Sequence, residues 1–250
     1  EEPFSRKAEV FDTTLGWRFI NSKLSKLYYQ YSMGETAENV AEKWKISRED
    51  QDEFAFQSQQ KYQAAYERNS FNEELVSVSV SQGKEMISFS KDEHPRLTTR
   101  EKLSSLKPAF KENGTVTAGN SSGINDGAAC SIVASEDALK KNKLKPLARI
   151  VSMAVAGVEP AYMGVGPVPA VQKALKRAGL KISDIGLVEL NEAFASQSLA
   201  CIQDLELNPE IVNVNGGAIA IGHPLGCSGV RISATLLHEM KRRKVKYGLA

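Results

Sequence analysis

The sequence of 250 residues is 42% hydrophobic and 25% charged, which is ordinary usage for a globular protein with a sizeable buried core. Its net charge of +2 gives no strong electrostatic footprint for nucleic acid, and no apolar run is long enough for a transmembrane helix. The first seven residues do not resemble a signal peptide. We therefore expect neither nucleic acid nor a membrane as a partner. Three widely spaced cysteines without metal-type pairing favour a reducing cytoplasm: Cys130, Cys201 and Cys227.

The first third of the chain is predicted to be helical after an initial loop. Residues 1–31 are rich in aromatic side chains without clean periodicity, which indicates an ordered surface loop. A helix is predicted to follow Thr36 and to run through about Trp44. Ser47, followed by acidic residues, is typical of an N-cap, and the helix that it begins should end near Arg68. The stripe expected to be buried on this helix consists of Phe54, Ser58, Tyr62 and Ala65.

The middle of the chain is predicted to alternate between strands and short helices. Residues 75–80 alternate strictly between apolar and polar, which indicates a half-buried strand. A short helix is predicted at about 101–106. The continuous apolar run at 128–134 is typical of a buried strand. Ser135 should cap the next helix, and residues 147–158 are predicted to form a long strand.

The last hundred residues continue this alternation. A helix is predicted over 167–178 and a strand over 185–190, which ends at Asn191. A second strand is predicted over 211–214. A helix should follow a glycine-rich segment and run to about Arg243. Alternating strands and helices predict a layered α/β fold.

Residues 216–229 form the glycine-rich segment, GGAIAIGHPLGCSG. Repeated glycine indicates tight turns, where the backbone needs a positive φ or comes very close to its neighbours. The segment places His223 on a strand–loop–helix connection, where α/β proteins commonly present a catalytic side chain. Judged from this segment alone, a structural histidine that satisfies a backbone carbonyl is the favoured interpretation.

The glycine-rich segment, together with the sequence NEAFA at 191–195, resembles the thiolase family of acetyl-CoA acyltransferases and acetyltransferases. Asn191 and His223 lie 32 residues apart, which fits the family spacing without a gap. Residues 119–127, GNSSGINDG, and residues 32–39, SMGETAEN, resemble two further signatures in the right order. Four ordered blocks over essentially the whole chain make the resemblance far more specific than a single glycine pattern.

The resemblance implies an α/β fold of the layered αβαβα thiolase type, accompanied by an α+β loop domain. Residues 1–124 would form the loop domain, residues 125–145 would return to the N-terminal core domain, and residues 146–250 would form most of the C-terminal core domain. The fold would be incomplete, because most of the N-terminal half and the final strands are missing. We therefore expect the sequence to be an excerpt of a longer protein.

Thiolases cleave or form a carbon–carbon bond beside a thioester through an acyl-cysteine intermediate, which requires a thiolate, its base and oxyanion donors. By resemblance, His223 activates the nucleophile and donates to an oxyanion, and Asn191 holds a water in the same oxyanion hole. The nucleophilic cysteine is expected before Glu1 and a second catalytic cysteine after Ala250. The chain's own cysteines are not expected to be nucleophiles. Cys130 and Cys201 lie in apolar runs and are expected to be small buried residues, and Cys227 is expected to fill space in the glycine-rich segment.

Six further residues resemble positions that contact coenzyme A or the acyl chain. Ser122 corresponds to a serine that hydrogen-bonds the pantetheine, and Ala118 lines the same tunnel. Arg96 resembles a loop-domain arginine near the adenine nucleotide. The acyl pocket would be lined by Met33, Met163 and Phe194. Simpler explanations stay open. Ser122 and Ala118 could be turn residues, Arg96 could be a solvated surface arginine, and the two methionines could simply pack in the core.

The resemblance also bears on the substrate. Ser32 replaces a histidine that precedes Met-Gly in many acetoacetyl-CoA-forming members. Residues 4–9 and 11–19 resemble thiolases of aromatic catabolism that act on 3-oxoadipyl-CoA, whose distal carboxylate Arg18 or Lys23 could bind. An acetyl-CoA C-acetyltransferase and a fatty-acid 3-ketoacyl-CoA thiolase are the alternatives.

An enzyme and a non-catalytic CoA-binding relative are the two classes of function that fit. Retention of both Asn191 and His223 favours the enzyme, because a mere binder needs neither. The partners expected are CoA thioesters and further copies of the full-length protein, as a dimer or tetramer. No cofactor beyond coenzyme A as substrate, and no metal, is expected.

Overall fold

The computed structural model describes residue 10, residues 16–17 and residues 19–250. Residues 4–9 and 11–15, together with Arg18, lie outside this description, so most of the block that resembles 3-oxoadipyl-CoA thiolases is not described. Within the predicted surface loop, helix α1 (Ser22–Ser25) is exposed throughout. Asn21 caps this helix by accepting hydrogen bonds from the backbone N–H groups of Lys23 and Leu24.

Two capped helices follow. Helix α2 (Met33–Trp44) already includes Thr36, which was predicted to precede it, because Ser32 and Glu35 form a capping box and the helix begins at Met33. Helix α3 (Arg48–Glu67) begins after Ser47, as predicted, with Asp50 as the reciprocal partner. Its buried face is broader than the predicted stripe and includes Gln51, Asp52, Ala55, Ser58, Gln59, Tyr62 and Ala65.

A two-stranded hairpin follows α3. Strand β1 (Val78–Gln82) pairs antiparallel with β2 (Glu85–Phe89) around Gly83, whose φ of +67° suits the turn. The predicted strand therefore exists, but the prediction of half-burial is wrong, because every residue of β1 is exposed. Helix α4 (Arg100–Ser104), capped by Thr99, confirms the predicted short helix to within two residues at each end.

Two predicted strands are absent from the described chain. Residues 128–134 and 147–158 form no ladder, and their apolar side chains are exposed, as for Ile132 at 87% and Val155 at 83%. Cys130 is exposed as well, so its predicted burial is wrong. Helix α5 (Glu136–Asn142), capped by Ser135 as predicted, lies between the two segments. A strand needs a partner for its backbone groups, and the described residues provide none there.

The second of these segments, residues 147–158, lies along helix α6 (Pro167–Ala178), which has the predicted bounds. Ser152 donates its hydroxyl to the carbonyl of Ala174 at 2.7 Å, and Arg177 donates to the carbonyl of Met153 at 2.7 Å. A 3-10 helix, Pro160–Val165, leads into α6. Two more 3-10 turns, Ile182–Asp184 and Pro209–Ile211, occur further along the chain.

The C-terminal part is built around a small parallel sheet. Strand β3 (Leu187–Val188) pairs with β4 (Gly248–Leu249), and Val212 forms a single parallel bridge with Val188. The strands predicted at 185–190 and 211–214 are therefore much shorter than expected. Helix α7 (Ala195–Asp204) contacts α2, α3 and α6, and helix α9 (Ser228–Arg243) contacts β3 and β4.

The main apolar core lies around this sheet and α7. It includes Val40, Val165, Val168, Val188, Cys201, Leu205 and Val212. Because parallel segments run in the same direction, the chain leaves Val188 and Val212 at the same edge of the sheet. The chain that leaves the sheet after Val188 leads to Asn191. The chain that leaves it after Val212 leads to helix α8 (Ala218–Ile221) and His223. In the described ranges, no helix is both long and apolar enough to cross a membrane.

Candidate active site

His223 is placed by a glycine turn and by the 119–127 motif. Gly222 has a φ of +107°, and a Cβ there would lie 2.3 Å from Asn125 Oδ1, so only glycine fits this position. The backbone N–H of His223 donates to the carbonyl of Gly123 at 3.1 Å and to Asn125 Oδ1 at 3.3 Å. Two motifs about a hundred residues apart therefore fix the backbone of the histidine.

The imidazole of His223 has a partner at each ring nitrogen. Ser228 Oγ lies 2.7 Å from Nδ1, and Asn191 Nδ2 lies 3.4 Å from Nε2. Burial lowers the pKa of the half-buried ring, and the nearby Arg231 guanidinium lowers it further. Both effects favour the neutral ring, the state in which an imidazole can accept a proton from a nucleophile. The structure brings together the two residues that the sequence predicted to be catalytic.

Asn191 is held by its neighbour Glu192. The carboxylate of Glu192 accepts hydrogen bonds from Ser58 Oγ at 2.7 Å, Asn213 Nδ2 at 2.8 Å and the backbone N–H of Ile219 at 3.1 Å. Burial raises the pKa of Glu192, whereas these donors favour its ionised form. The NEAFA segment is thereby tied both to α3 and to α8.

Asn191 Oδ1 is buried and has no hydrogen-bond partner in the described chain. A buried amide oxygen is normally satisfied, so an orphaned acceptor beside His223 suits a water or a ligand group. This observation agrees with the role that the resemblance implies for Asn191.

Ser122 lies beside the NEAFA segment. Its backbone N–H donates to the carbonyl of Ala193 at 3.0 Å, and Ser121 forms an antiparallel bridge with Phe194. Because the carbonyl of Gly123 accepts from the backbone of His223, Ser122 is within one residue of both the NEAFA segment and the segment that carries His223. Ala118 is exposed at the preceding turn.

The residues predicted to line the acyl pocket are not core residues. Met33 and Met163 are 50% and 46% exposed, so simple core packing does not explain them. The ring of Phe194 meets that of Phe110 edge-on, with centroids 6.0 Å apart. The Phe110 ring packs on Gly34, where a Cβ would lie 2.1 Å from its Cγ. A continuous path of contacts therefore leads from Phe194 to the start of α2.

Arg96 lines a separate cavity of about 320 Å³ beside α3, together with Tyr62, Tyr66 and Lys91. Its backbone N–H donates to Gln59 Oε1 at 3.4 Å. Two residues earlier, His94 lies so close to Gly123 that a Cβ there would be 2.3 Å from the imidazole Cε1. The segment that carries Arg96 therefore runs directly beside the 119–127 motif.

In the described residues, none of the three cysteines is hydrogen-bonded to the ring of His223. Cys201 is fully buried, and burial raises the pKa of its thiol to about 11, which keeps it protonated and inert. Cys227 is buried against Gly127 and Pro224. In the part of the chain that the structure describes, no cluster of three or more His, Cys, Asp or Glu side chains could hold a metal ion.

Two family models match the chain: that of the thiolase N-terminal domain over residues 7–137, and that of the thiolase C-terminal domain over residues 144–250. The chain belongs to the thiolase family. Its α/β fold is accordingly the thiolase fold.

Three similar thiolases illustrate the range of substrates in the family. A 3-oxoadipyl-CoA/3-oxo-5,6-dehydrosuberyl-CoA thiolase of Escherichia coli is 52% identical over 98% of this chain and 62% of its own length. The crystal structure of the Bacillus anthracis acetyl-CoA acetyltransferase is 43% identical, with a TM-score of 0.87 over 99% of this chain and 65% of that one. The crystal structure of human mitochondrial 3-ketoacyl-CoA thiolase in complex with CoA is 54% identical, with a TM-score of 0.83 over 88% of this chain and 55% of that one. The chain thus spans less than two thirds of the length of these thiolases.

Four residues of this candidate site could not be assigned a role from the sequence. Phe110 gave no signal, because an isolated apolar residue in a loop is not informative. The others are polar residues inside or next to the recognised motifs, and only the folded structure shows what they contact: Asn125, Glu192 and Ser228.

Proposed function

We propose that the full-length protein transfers the acyl group of a 3-oxoacyl-CoA to coenzyme A, releasing acetyl-CoA and a shortened acyl-CoA. The observation that carries this proposal is the approach of Asn191 to a neutral His223 at 3.4 Å, beside an unpaired buried amide oxygen. A base next to an oxyanion site is what thioester chemistry needs, whereas simple CoA binding requires neither.

In this mechanism His223 accepts the proton of a cysteine thiol that lies outside the present sequence. The thiolate attacks the 3-oxo carbon, and the bond between C2 and C3 breaks, leaving an acyl-cysteine and the enolate of acetyl-CoA. The enolate takes a proton from a second cysteine, also outside the sequence. The second cysteine, now a thiolate, takes the proton of the coenzyme A thiol, and the coenzyme A sulfur attacks the acyl-cysteine. The cysteine thiolate that is released takes back its proton from His223. A water on Asn191 and the protonated His223 stabilise the oxyanions.

Binding of the substrate is assigned to residues around this pair. Ser122 and Ala118 would contact the pantetheine, and the proximity of Ser122 to both catalytic segments supports this. Arg96 would contact the nucleotide, since its cavity combines two cations with aromatic rings, which suit phosphates and a planar base. Partly exposed apolar side chains suit an acyl pocket: Met33, Met163 and Phe194.

The proposal includes the division of the chain into a loop domain (1–124), a return segment (125–145) and a C-terminal core domain (146–250). It also includes a homodimer or homotetramer in a reducing cytoplasm. The three cysteines, which are free in the structure, support such a compartment.

We further propose 3-oxoadipyl-CoA as the substrate. The name of the Escherichia coli relative and the serine at position 32 support this choice. Of the two cations proposed to bind the distal carboxylate, Lys23 lies in the described part of the chain, in the exposed helix α1. A site built to bind a polar group penalises an analogue that lacks it, because its own donors are left unpaired.

The test is to assay the full-length protein for CoA-dependent cleavage of 3-oxoadipyl-CoA and of a methyl-ended 3-oxoacyl-CoA of similar length. We expect a higher kcat/KM for 3-oxoadipyl-CoA. Equal efficiencies, or a preference for the methyl-ended chain, would indicate a broad-range fatty-acid thiolase. A protein that binds CoA but cleaves neither substrate would be a non-catalytic relative.

A further inference from the structure

Ser228 is the first residue of α9 and the hydrogen-bond partner of His223 on the Nδ1 side. Its Oγ lies 2.7 Å from Nδ1 and 3.0 Å from the carbonyl oxygen of Pro224, and the residue is only 5% exposed. Ser233, five residues further along α9, makes the same kind of bond to the backbone, to the carbonyl of Gly229 at 2.7 Å, but in an exposed setting. The two serines therefore differ in what else their hydroxyl groups meet.

The hydroxyl of Ser228 carries one proton and two lone pairs. When the proton is donated to the carbonyl of Pro224, a lone pair of Oγ is left to accept from Nδ1–H. At the other ring nitrogen, the amide Nδ2 of Asn191 can only donate, so Nε2 presents its lone pair. Both neighbours therefore fit the same neutral tautomer of His223, with its proton on Nδ1.

We propose that Ser228 is a positioning residue that holds His223 in the Nδ1–H tautomer and keeps the Nε2 lone pair available as the base. The opposite tautomer would present a proton where the nucleophile must lose one, so that ring could not deprotonate the thiol. The catalytic consequence rests on the proposed thiolase function. The tautomer itself is a property of the ring and can be measured without turnover.

The test uses the full-length protein labelled with ¹⁵N at histidine, because the nitrogen shift distinguishes protonated from unprotonated ring nitrogens. The His223 signals are assigned by their loss in His223→Gln. We expect the Nδ1–H form in the wild type and in the control Ser233→Ala, and a gain of the Nε2–H form in Ser228→Ala. In the thiolysis assay, Ser228→Ala should lower kcat about tenfold, the equivalent of one lost hydrogen bond, without changing the KM for CoA. Ser228→Thr keeps the hydroxyl and should restore kcat.

An Nε2–H ring in the wild type would overturn the proposal, and that measurement needs no variant to fold. An unchanged tautomer ratio in folded Ser228→Ala would overturn it too, and so would a tautomer change that leaves kcat intact. An Nδ1–H ring in a full-length protein that cleaves no 3-oxoacyl-CoA would support the hydrogen-bond assignment and refute the proposed function instead.

Discussion

Two effects act together on the imidazole of His223. Burial disfavours the imidazolium form, and the positive charge of Arg231 disfavours it further, so both lower the pKa of the ring. A base must be unprotonated before it can act, so the environment prepares His223 for the first step of the proposed reaction. Asn191, on the other hand, contributes through the orientation of a neutral amide.

Replacing His223 by alanine in the full-length protein should lower the rate of thiolysis by about 10²–10⁴-fold, because the base is lost from the transition state. Binding of CoA, measured by calorimetry, should persist. His238→Ala is the matched control, since His238 lies on α9 and pairs with Glu73 at 3.6 Å. Near-normal turnover of His223→Ala would reduce His223 to a structural residue.

At the scale of elements, Glu192 joins three parts of the chain that come together at the site. Its carboxylate accepts hydrogen bonds from Ser58 of α3, from the backbone of Ile219 in α8, and from Asn213, which follows the bridge residue Val212. The relative position of Asn191 and His223 depends on these bonds, because the first residue precedes Glu192 and the second follows α8.

Glu192→Gln should destabilise the protein and lower kcat, because an amide NH₂ group cannot accept the hydrogen bonds that converge on a carboxylate. At least one buried donor would be left unpaired, which costs about 1–3 kcal/mol of unfolding free energy. The measurement is a urea unfolding curve together with the thiolysis assay. The control is Glu53→Gln on α3, because the exposed ion pair of Glu53 with Arg100 on α4 should contribute less than about 1 kcal/mol. Equal effects of the two substitutions would contradict the role given to Glu192.

Local signals predicted the helices, and non-local contacts explain the failures. The caps at Ser47 and Ser135 lie within a few residues of the groups that they satisfy, so both helix starts were predicted correctly. Apolar runs such as 128–134 predicted strands, but a strand depends on a partner elsewhere in the chain. At the site, the motifs predicted that Asn191 and His223 would act together, and the structure places the two side chains in contact; their joint action stays a prediction.

The contacts around the site could not be predicted in this way. Ser228 looked like a small residue at a helix start, and its bond to the imidazole depends on the turn at Pro224. Phe110 meets the ring of Phe194 while it packs on Gly34 of α2. Such contacts are set by tertiary packing, and no spacing in the sequence encodes them.

For the whole molecule, the surface that matters most for association is formed by the two segments that were predicted as strands. Residues 128–134 and 147–158 expose a series of large apolar side chains, including Ile132, Val133, Leu147, Val151 and Val155. Soluble monomers rarely expose contiguous apolar patches, because such surfaces associate.

The 250-residue chain expressed on its own should therefore self-associate and show no thiolysis. Light scattering coupled to size-exclusion chromatography and a thermal melt are the measurements. The full-length protein in the same buffer is the control, and it should elute as one defined species. A monodisperse 250-residue chain with a single cooperative melt would contradict this prediction.

The bonds that hold the site together also determine when it can form. Ser58 reaches Glu192 across 134 positions, and Gln59 reaches Ile219 across 160. Capped helices form quickly from local contacts, whereas contacts this distant must wait for large loops to close. During synthesis α3 can therefore fold long before the ribosome has made His223. Competence to bind and react is then among the last properties that the growing chain acquires.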